Sequence, residues 1–184
     1  MAGVVLLHAW WGRTPWFVAL GGRLADAGFE VAVPDLYGDG RTTDSVEEAE
    51  ALSDALEVGA MMARVEEARR SLDGDVTVVG FSLGAFAAVQ LLARDPTVRA
   101  AVLYYGTWTP PADVAVTARV LGHFAELDPF EPLDDVRRLE QRLPSAEFHV
   151  YPGTRHWFAE PDRPEYDPGA ADLAWSRTLA FLRG

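Results

Sequence analysis

One pentapeptide near the middle of the chain, Gly-Phe-Ser-Leu-Gly at residues 80–84, constrains the fold more than any other stretch. It directly follows an apolar run typical of a buried strand, residues 76–79, and directly precedes an alanine- and leucine-rich run typical of a helix. This context predicts a nucleophile elbow, a turn so tight that side chains two positions from the serine would collide. The alternative is an ordinary strand-to-helix turn in which Ser82 caps the helix.

Strand-like and helix-like segments alternate along the whole chain. Short apolar runs predict six strands, at residues 4–8, 29–33, 76–79, 98–104, 117–124 and 146–151. Helices are predicted at residues 15–27, at 45–72 with a break near Gly59, at 85–94, around 136–142 and at 169–182. This order predicts one α/β domain over residues 1–184, a doubly wound, mostly parallel sheet with helices on both faces. Ligands of such sheets bind at the carboxyl ends of the strands.

Charge and composition exclude several classes of function. The 16 basic residues are all arginine, the acidic residues number 28, and the formal net charge of −12 disfavours nucleic acid or an anionic membrane as a partner. Without lysine there is no Schiff-base chemistry, and without cysteine there is no disulfide, thiolate catalysis or metal–thiolate site. The apolar run at the start is too short for a signal peptide or a membrane span, so we expect a cytoplasmic protein.

A serine hydroxyl needs a base that accepts its proton, and the chain offers 4 histidines. His123 and His149 fall within predicted strands, which favours structural roles for both. His8 ends the first predicted strand, where we expect it to shape the following loop. His156 lies in a loop just past the last predicted strand, and it is therefore the predicted base.

The acid that orients the histidine is expected between Ser82 and His156. In hydrolases with a nucleophile elbow, the three catalytic residues follow one another along the chain in the order serine, acid, histidine. Asp128 directly follows the fifth predicted strand, and Pro129 after it disfavours helical backbone at that position. A carboxylate fixed in such a loop can accept the proton of the imidazole Nδ1. Asp128 is the predicted acid, and Glu126 is the alternative.

The oxyanion and the substrate are expected to bind at the same edge of the sheet. The backbone N–H groups of Leu83, at the start of the helix, and of Trp10, in the loop after the first strand, are the predicted oxyanion donors. Four tryptophans lie in loops at this edge, where they can gather into an apolar pocket. The predicted pocket residues are Ala9, Trp11, Tyr105, Trp108 and Trp157, with Trp10 beside them.

Six short motifs follow one another in a specific order, at residues 8–12, 34–37, 80–84, 104–106, 123–129 and 151–158, and a helical tail covers 170–182. Together they resemble the dienelactone hydrolase family of the α/β-hydrolases over nearly the whole chain. The resemblance implies a minimal version of that fold. It also implies Ser82 as nucleophile, Asp128 as acid and His156 as base, with oxyanion donors on Leu83 and Trp10.

Three positions depart from the lactone-cleaving members of that family. The nucleophile is Ser82 instead of cysteine, Ala9 replaces a glutamate of the first loop, and Glu160 matches an arginine that holds the substrate carboxylate. A carboxylate at Glu160 and the net charge of −12 are expected to disfavour anionic substrates. Arg41 or Arg155 could supply the missing cation if either pointed inward.

The sequence therefore predicts a serine hydrolase that cleaves small neutral carboxylic esters through an acyl-enzyme. No metal and no organic cofactor is expected, and the predicted partner is a small-molecule ester or lactone. A dienelactone-like lactone hydrolase is the alternative enzyme. A non-catalytic binding module that keeps the fold is the alternative from another class.

Overall fold

A sheet of six strands lies at the centre of the computed structural model, which describes residues 1–143 and 145–184. Its strands are β1 (Gly3–Leu7), β2 (Glu30–Ala32), β3 (Val76–Phe81), β4 (Val98–Tyr104), β5 (Arg119–Ala125) and β6 (Glu147–Tyr151). All neighbouring strands are parallel, in the order β2-β1-β3-β4-β5-β6. The described helices are α1 (Pro15–Asp26), α2 (Val46–Asp54), α3 (Val58–Arg70), α4 (Leu83–Leu92), α5 (Leu133–Arg142) and α6 (Pro168–Leu182).

Hydrophobic side chains of the sheet alternate between two clusters, one on each face. In β1, Val5 and Leu7 belong to the cluster covered by α3, α4 and α5, whereas Val4 and Leu6 belong to the cluster covered by α1 and α6. Successive side chains of a strand point to opposite faces, so both faces of the sheet are buried. The predicted doubly wound parallel sheet with helices on both faces is confirmed.

The chain changes its direction of travel across the sheet at β1. From β1 it passes to β2 on one side, and it then returns to add β3, β4, β5 and β6 on the other side. The loops that leave the carboxyl ends of β1 and β3 diverge at this point, which opens a crevice. Because all six strands are parallel, the loops after β1, β3, β5 and β6 emerge at the same edge as that crevice.

The long helical region is broken near Gly59, as predicted, although the break lies just before that residue. The chain leaves the helix at residues 55–57, and Gly59 lies inside the first turn of α3. A helical glycine costs only about 1 kcal/mol relative to alanine. Met61, Met62 and Val65 bury α3 against the core and outweigh that cost. None of the described helices combines the length and the apolar character needed to cross a membrane.

Candidate active site

Ser82 lies on the turn between β3 and α4 in a backbone conformation that is rare for a residue with a side chain. Its φ is 51° and its ψ is −108°. A Cβ atom on Gly80 would collide with the backbone of Gly84, and one on Gly84 would collide with the backbone of Leu7. The turn is therefore possible only with glycine at both positions. Such conformations cost about 1–3 kcal/mol and persist where the surroundings hold them, and here the Ser82 N–H donates to the Tyr104 carbonyl oxygen at 2.9 Å.

The structure brings Ser82, His156 and Asp128 together in one hydrogen-bonded chain. Ser82 Oγ lies 2.9 Å from Nε2 of His156, and Nδ1 of His156 lies 2.7 Å from Oδ2 of Asp128. The other carboxylate oxygen, Oδ1, accepts the backbone N–H groups of Phe130 at 2.9 Å and Glu131 at 3.0 Å. The carboxylate is thus held from both sides. A proton on Nδ1 is fixed by Asp128, which leaves Nε2 free to accept the serine proton.

Glu126, the alternative acid, makes a different contact. Its side chain is exposed, and Oε2 accepts the N–H of Gly153 at 2.8 Å. This hydrogen bond holds the turn that precedes the histidine. The carboxylate against the imidazole is that of Asp128.

His123 and His149 lie away from the serine, in neighbouring strands. His123 is buried, with Nδ1 2.9 Å from the Tyr151 hydroxyl and Nε2 3.1 Å from the Thr178 hydroxyl. Burial holds the pKa of His123 well below its ordinary value, so this ring is neutral. His149 is paired with Glu147 at 2.7 Å. These contacts agree with the structural roles predicted for both residues.

Hydrogen bonds from neighbouring loops hold the segment after β1 in place. The buried His8 ring accepts the N–H of Leu36 on Nε2 at 2.9 Å, and its Nδ1 lies 2.7 Å from the Ala9 carbonyl oxygen. The Tyr37 hydroxyl donates to the carbonyl oxygen of Trp10 at 2.6 Å. His8 thus shapes this loop, as predicted. Tyr37 is a contact that sequence reasoning missed, although it lies in one of the family-like motifs.

Within the part of the chain that the structure describes, neither of the two predicted oxyanion donors has a hydrogen-bond partner on the backbone. Leu83 is the first residue of α4, where an N–H has no partner one turn earlier in the helix. No backbone partner is found for the Trp10 N–H within residues 1–143 and 145–184. N–H groups at a helix start carry a partial positive charge, which suits a developing oxyanion.

Three of the four predicted tryptophans form one aromatic cluster beside the histidine. The ring centroids of Trp10, Trp11 and Trp157 lie between 5.0 and 5.7 Å from one another. Phe130 joins this cluster at 5.7 Å from Trp10 and 5.1 Å from His156, and half of its surface (50%) is exposed. Sequence reasoning missed Phe130, although its position two residues after Asp128 could have indicated it.

Trp108 lies outside this aromatic cluster. Its ring packs edge-on against Phe86 of α4 with a centroid distance of 5.5 Å. Together with Thr107, Glu131 and Arg138, it lines a separate cavity of about 420 Å³. The grouping of four tryptophans in one pocket is therefore wrong for Trp108. The reason is that Trp108 packs on the α3–α5 face, whereas the other three pack on the α1–α6 face.

Ala9 and Tyr105 are buried, and so is Glu160. Ala9 and Tyr105 have 0% exposed surface, so neither is open to a substrate as a pocket residue is expected to be. Glu160 is 1% exposed, and its Oε1 accepts the Tyr105 hydroxyl at 2.6 Å. Burial raises the pKa of Glu160 to about 8. The predicted repulsion of anions by this carboxylate is therefore wrong, because the group is buried and neutral near pH 7.

Neither Arg41 nor Arg155, the two candidates for a cation that points into the site, is buried. Arg41 is paired with Asp39 at 2.5 Å and is 64% exposed, and Arg155 is exposed. Sequence reasoning missed Arg163, whose guanidinium lies 4.2 Å from the ring centre of Trp11 and is paired with Asp162 at 3.3 Å. Among the described residues, no group of three or more His, Cys, Asp or Glu side chains is arranged to hold a metal ion.

Comparisons with known proteins find the same family over most or all of the chain. Residues 1–184 match the sequence model of the dienelactone hydrolase family. A "Probable 2-oxo-3-(5-oxofuran-2-ylidene)propanoate lactonase" of Bradyrhizobium sp is 30% identical, over 87% of this chain and 74% of its own length. A carboxymethylenebutenolidase of Rhodococcus opacus is 29% identical, over 97% of this chain and 79% of its own length.

Solved structures give the same result for the fold. A "Putative Dienelactone Hydrolase" from Klebsiella pneumoniae superposes with a TM-score of 0.85 at 26% identity, covering 98% of this chain and 86% of its own. A dienelactone hydrolase-like promiscuous phosphotriesterase from metagenomic libraries has a TM-score of 0.83 at 20% identity, covering 100% of this chain and 86% of its own. At that identity the second likeness concerns the fold alone, which is that of the α/β-hydrolases.

Proposed function

The chain belongs to the dienelactone hydrolase family and is thus a hydrolase of carboxylic esters or lactones, and we propose that it acts through a serine acyl-enzyme. Ser82 is the nucleophile, His156 the general base and acid, and Asp128 the residue that orients the imidazole. One observation carries this proposal: the continuous hydrogen bonds from Ser82 Oγ to His156 at 2.9 Å and from His156 to Asp128 at 2.7 Å.

In the proposed reaction, Ser82 Oγ attacks the carbonyl carbon while Nε2 of His156 accepts the hydroxyl proton. Asp128 stabilises the imidazolium that forms, and the N–H groups of Leu83 and Trp10 donate to the oxyanion. When the tetrahedral intermediate collapses, the carbon–oxygen bond to the alcohol breaks and His156 returns its proton to that oxygen. Water deprotonated by His156 then attacks the acyl-enzyme, and the acid leaves as Ser82 regains its proton.

We propose small neutral esters as the substrates. The surface beside His156 is aromatic, formed by the partly exposed Trp10 and the half-exposed Phe130, which both pack against the buried Trp157. An aromatic wall binds apolar acyl or alcohol groups by burial of their surface. Arg163, whose guanidinium packs on the ring of Trp11, is already paired with Asp162. A carboxylate on the substrate therefore gains little in this site, which separates the proposal from a lactone that carries one.

Covalent labelling tests the proposed nucleophile. A fluorophosphonate reacts with an activated serine, so we expect one label per chain, located on Ser82 by peptide mass spectrometry. Ser82→Ala should lose the label and on the order of 10⁴–10⁶ in kcat, while its circular dichroism spectrum is unchanged. Full labelling of the Ser82→Ala protein would overturn the assignment, and absence of label from the unaltered chain would favour the binding module.

A further inference from the structure

We propose that Glu160 and Tyr105 are positioning residues for His156, joined by a buried hydrogen bond that locks two strained turns together. The inference rests on the proposed function of His156 as the base. It concerns a pair that the hydrolysis steps above do not use. Both side chains are enclosed, and the bond between the Tyr105 hydroxyl and the Glu160 carboxyl is 2.6 Å long.

The ring of Tyr105 is the contact through which this pair reaches the histidine. Its centroid lies 4.9 Å from the His156 ring and 5.6 Å from the Phe158 ring. Tyr105 thus packs against both the proposed base and the segment that follows it. A Tyr105 ring displaced by the loss of its hydroxyl contact allows the imidazole to tilt away from Ser82.

The turns that the bond joins are both strained. Ser82, Tyr105 and Trp157 are the residues other than glycine with positive φ among those described, and the φ values of the last two are 39° and 64°. Each such residue costs about 1–3 kcal/mol unless its surroundings hold it. Glu160 closes the turn around Trp157 by donating its own N–H to the Trp157 carbonyl oxygen at 2.9 Å, and its side chain ties that turn to Tyr105.

The protonation state of Glu160 belongs to this arrangement. Burial raises the pKa of its carboxyl to about 8, and burial raises the pKa of the Tyr105 hydroxyl well above 10. The bond therefore joins two neutral groups near pH 7. The titratable and charged groups around the pair are Tyr104 from β4, His156 against the Tyr105 ring, and Asp162, Arg163 and Glu165 on the segment of Glu160 itself.

Ionisation of Glu160 places an anion in the core, where it cannot be hydrated. The segment that holds His156 must then open toward water to solvate the charge. A pKa raised in the folded state means that the contribution to stability is complete below the unfolded value of 4.5 and is lost as the pH rises through about 8. Stability should therefore decline as the pH rises from 4.5 to about 8, and activity should decline as Glu160 ionises near pH 8.

Three variants separate positioning from simple packing. Tyr105→Phe and Glu160→Ala break the hydrogen bond, and we expect kcat on a neutral ester to fall by about 10- to 100-fold with KM changed far less. Glu160→Gln keeps an oxygen that accepts the Tyr105 hydroxyl but cannot ionise. It should retain most of the activity at pH 7 and show no decline of kcat above pH 8, where the unaltered enzyme loses activity. Glu140→Gln, on the exposed face of α5, is the matched control and should follow the unaltered enzyme.

The midpoint of thermal unfolding gives a readout that does not depend on hydrolysis. Between pH 5 and pH 9 it should drop by several degrees more in the unaltered chain than in Glu160→Gln. If the chain proves inactive on esters, the proposed function is overturned, but the unfolding measurement still tests the hydrogen bond between Tyr105 and Glu160. Identical pH profiles of unfolding for the two proteins, or an equal alkaline loss of kcat in both, would overturn the inference.

Discussion

Asp128 and Glu126 are two carboxylates on one loop, and they differ in burial and in the groups that they contact. Asp128 is enclosed, accepts two backbone N–H groups on one oxygen and contacts His156 with the other. Glu126 is exposed and holds the turn at Gly153. An anion enclosed in this way remains in place because its hydrogen bonds replace the water it has lost. At the scale of the residue, the roles proposed for the two carboxylates rest on burial and hydrogen bonding and not on the type of side chain.

This difference predicts that substitution of Asp128 lowers the activity far more than substitution of Glu126. Asp128→Asn should lower kcat about 10⁴-fold, because the amide favours the imidazole tautomer that cannot accept the serine proton. Glu126→Gln should cost at most a few-fold, since glutamine keeps an oxygen for the Gly153 N–H. The measurement is kcat/KM on a neutral ester at pH 7, with circular dichroism to check folding. A larger loss in Glu126→Gln than in Asp128→Asn would transfer the acid to Glu126.

The loop after β1 depends on the segment that follows β2. Thr43 donates its N–H to the Trp11 carbonyl oxygen at 3.0 Å, and Gly12 forms an isolated antiparallel bridge with Thr42. A Cβ atom on Gly12, where φ is 87°, would collide with the backbone of Arg41. At the scale of the element, contacts from another loop thus hold the proposed oxyanion donor on Trp10. These contacts determine how precisely its N–H group is placed.

Tyr37→Phe tests this dependence. The variant removes the hydroxyl that donates to the Trp10 carbonyl oxygen at 2.6 Å, so the peptide that follows Trp10 loses a restraint. We expect kcat to fall about 10-fold, which corresponds to about 1.4 kcal/mol, with KM nearly unchanged. Tyr166→Phe, the same change at a partly exposed tyrosine, is the control and should have no effect. A rise of KM at constant kcat in Tyr37→Phe would instead indicate a role in substrate binding.

The whole molecule has a formal net charge of −12 when every carboxylate is counted as ionised, and the arginines near the site do little to offset it. Arg41 and Arg163 each have a carboxylate partner, Asp39 and Asp162. With the buried Glu160 neutral near pH 7, long-range repulsion by the other acidic residues is what an anionic substrate meets. Such repulsion is screened by salt, since the Debye length falls from about 30 Å at 0.01 M to about 8 Å at 0.15 M.

A matched pair of substrates tests this property of the whole molecule. We expect kcat/KM for a neutral ester to exceed that for its ω-carboxylate counterpart by about 10-fold at low salt, and the ratio to shrink as salt is added. The two values are measured at 0.01 M and 0.15 M ionic strength with the same enzyme preparation. A preference for the carboxylate that weakens with salt would contradict the neutral-ester proposal and point to a lactone that carries a charge.

The sequence by itself determined the order of strands and helices and the turn at Ser82. These features depend on residues that are neighbours in the chain: apolar runs, a tight turn between glycines and a proline after Asp128. The same local signals marked His156 as the candidate base, because it follows the last strand directly. Where local signals conflicted, as at Gly59 in α3, packing against the core decided the structure.

The tertiary structure alone decided which side chains meet. Asp128 and His156 are 28 positions apart, and Tyr105 and Glu160 are 55 positions apart. Contacts over such distances depend on where whole loops lie, and no pattern of neighbouring residues encodes that. For the same reason the four tryptophans of the predicted pocket do not lie together: Trp108 packs on one face of the sheet, and Trp10, Trp11 and Trp157 pack on the opposite face. Burial, which makes Glu160 a partner of Tyr105 and favours its neutral form over the charge that was expected near the site, is likewise a property of the folded chain.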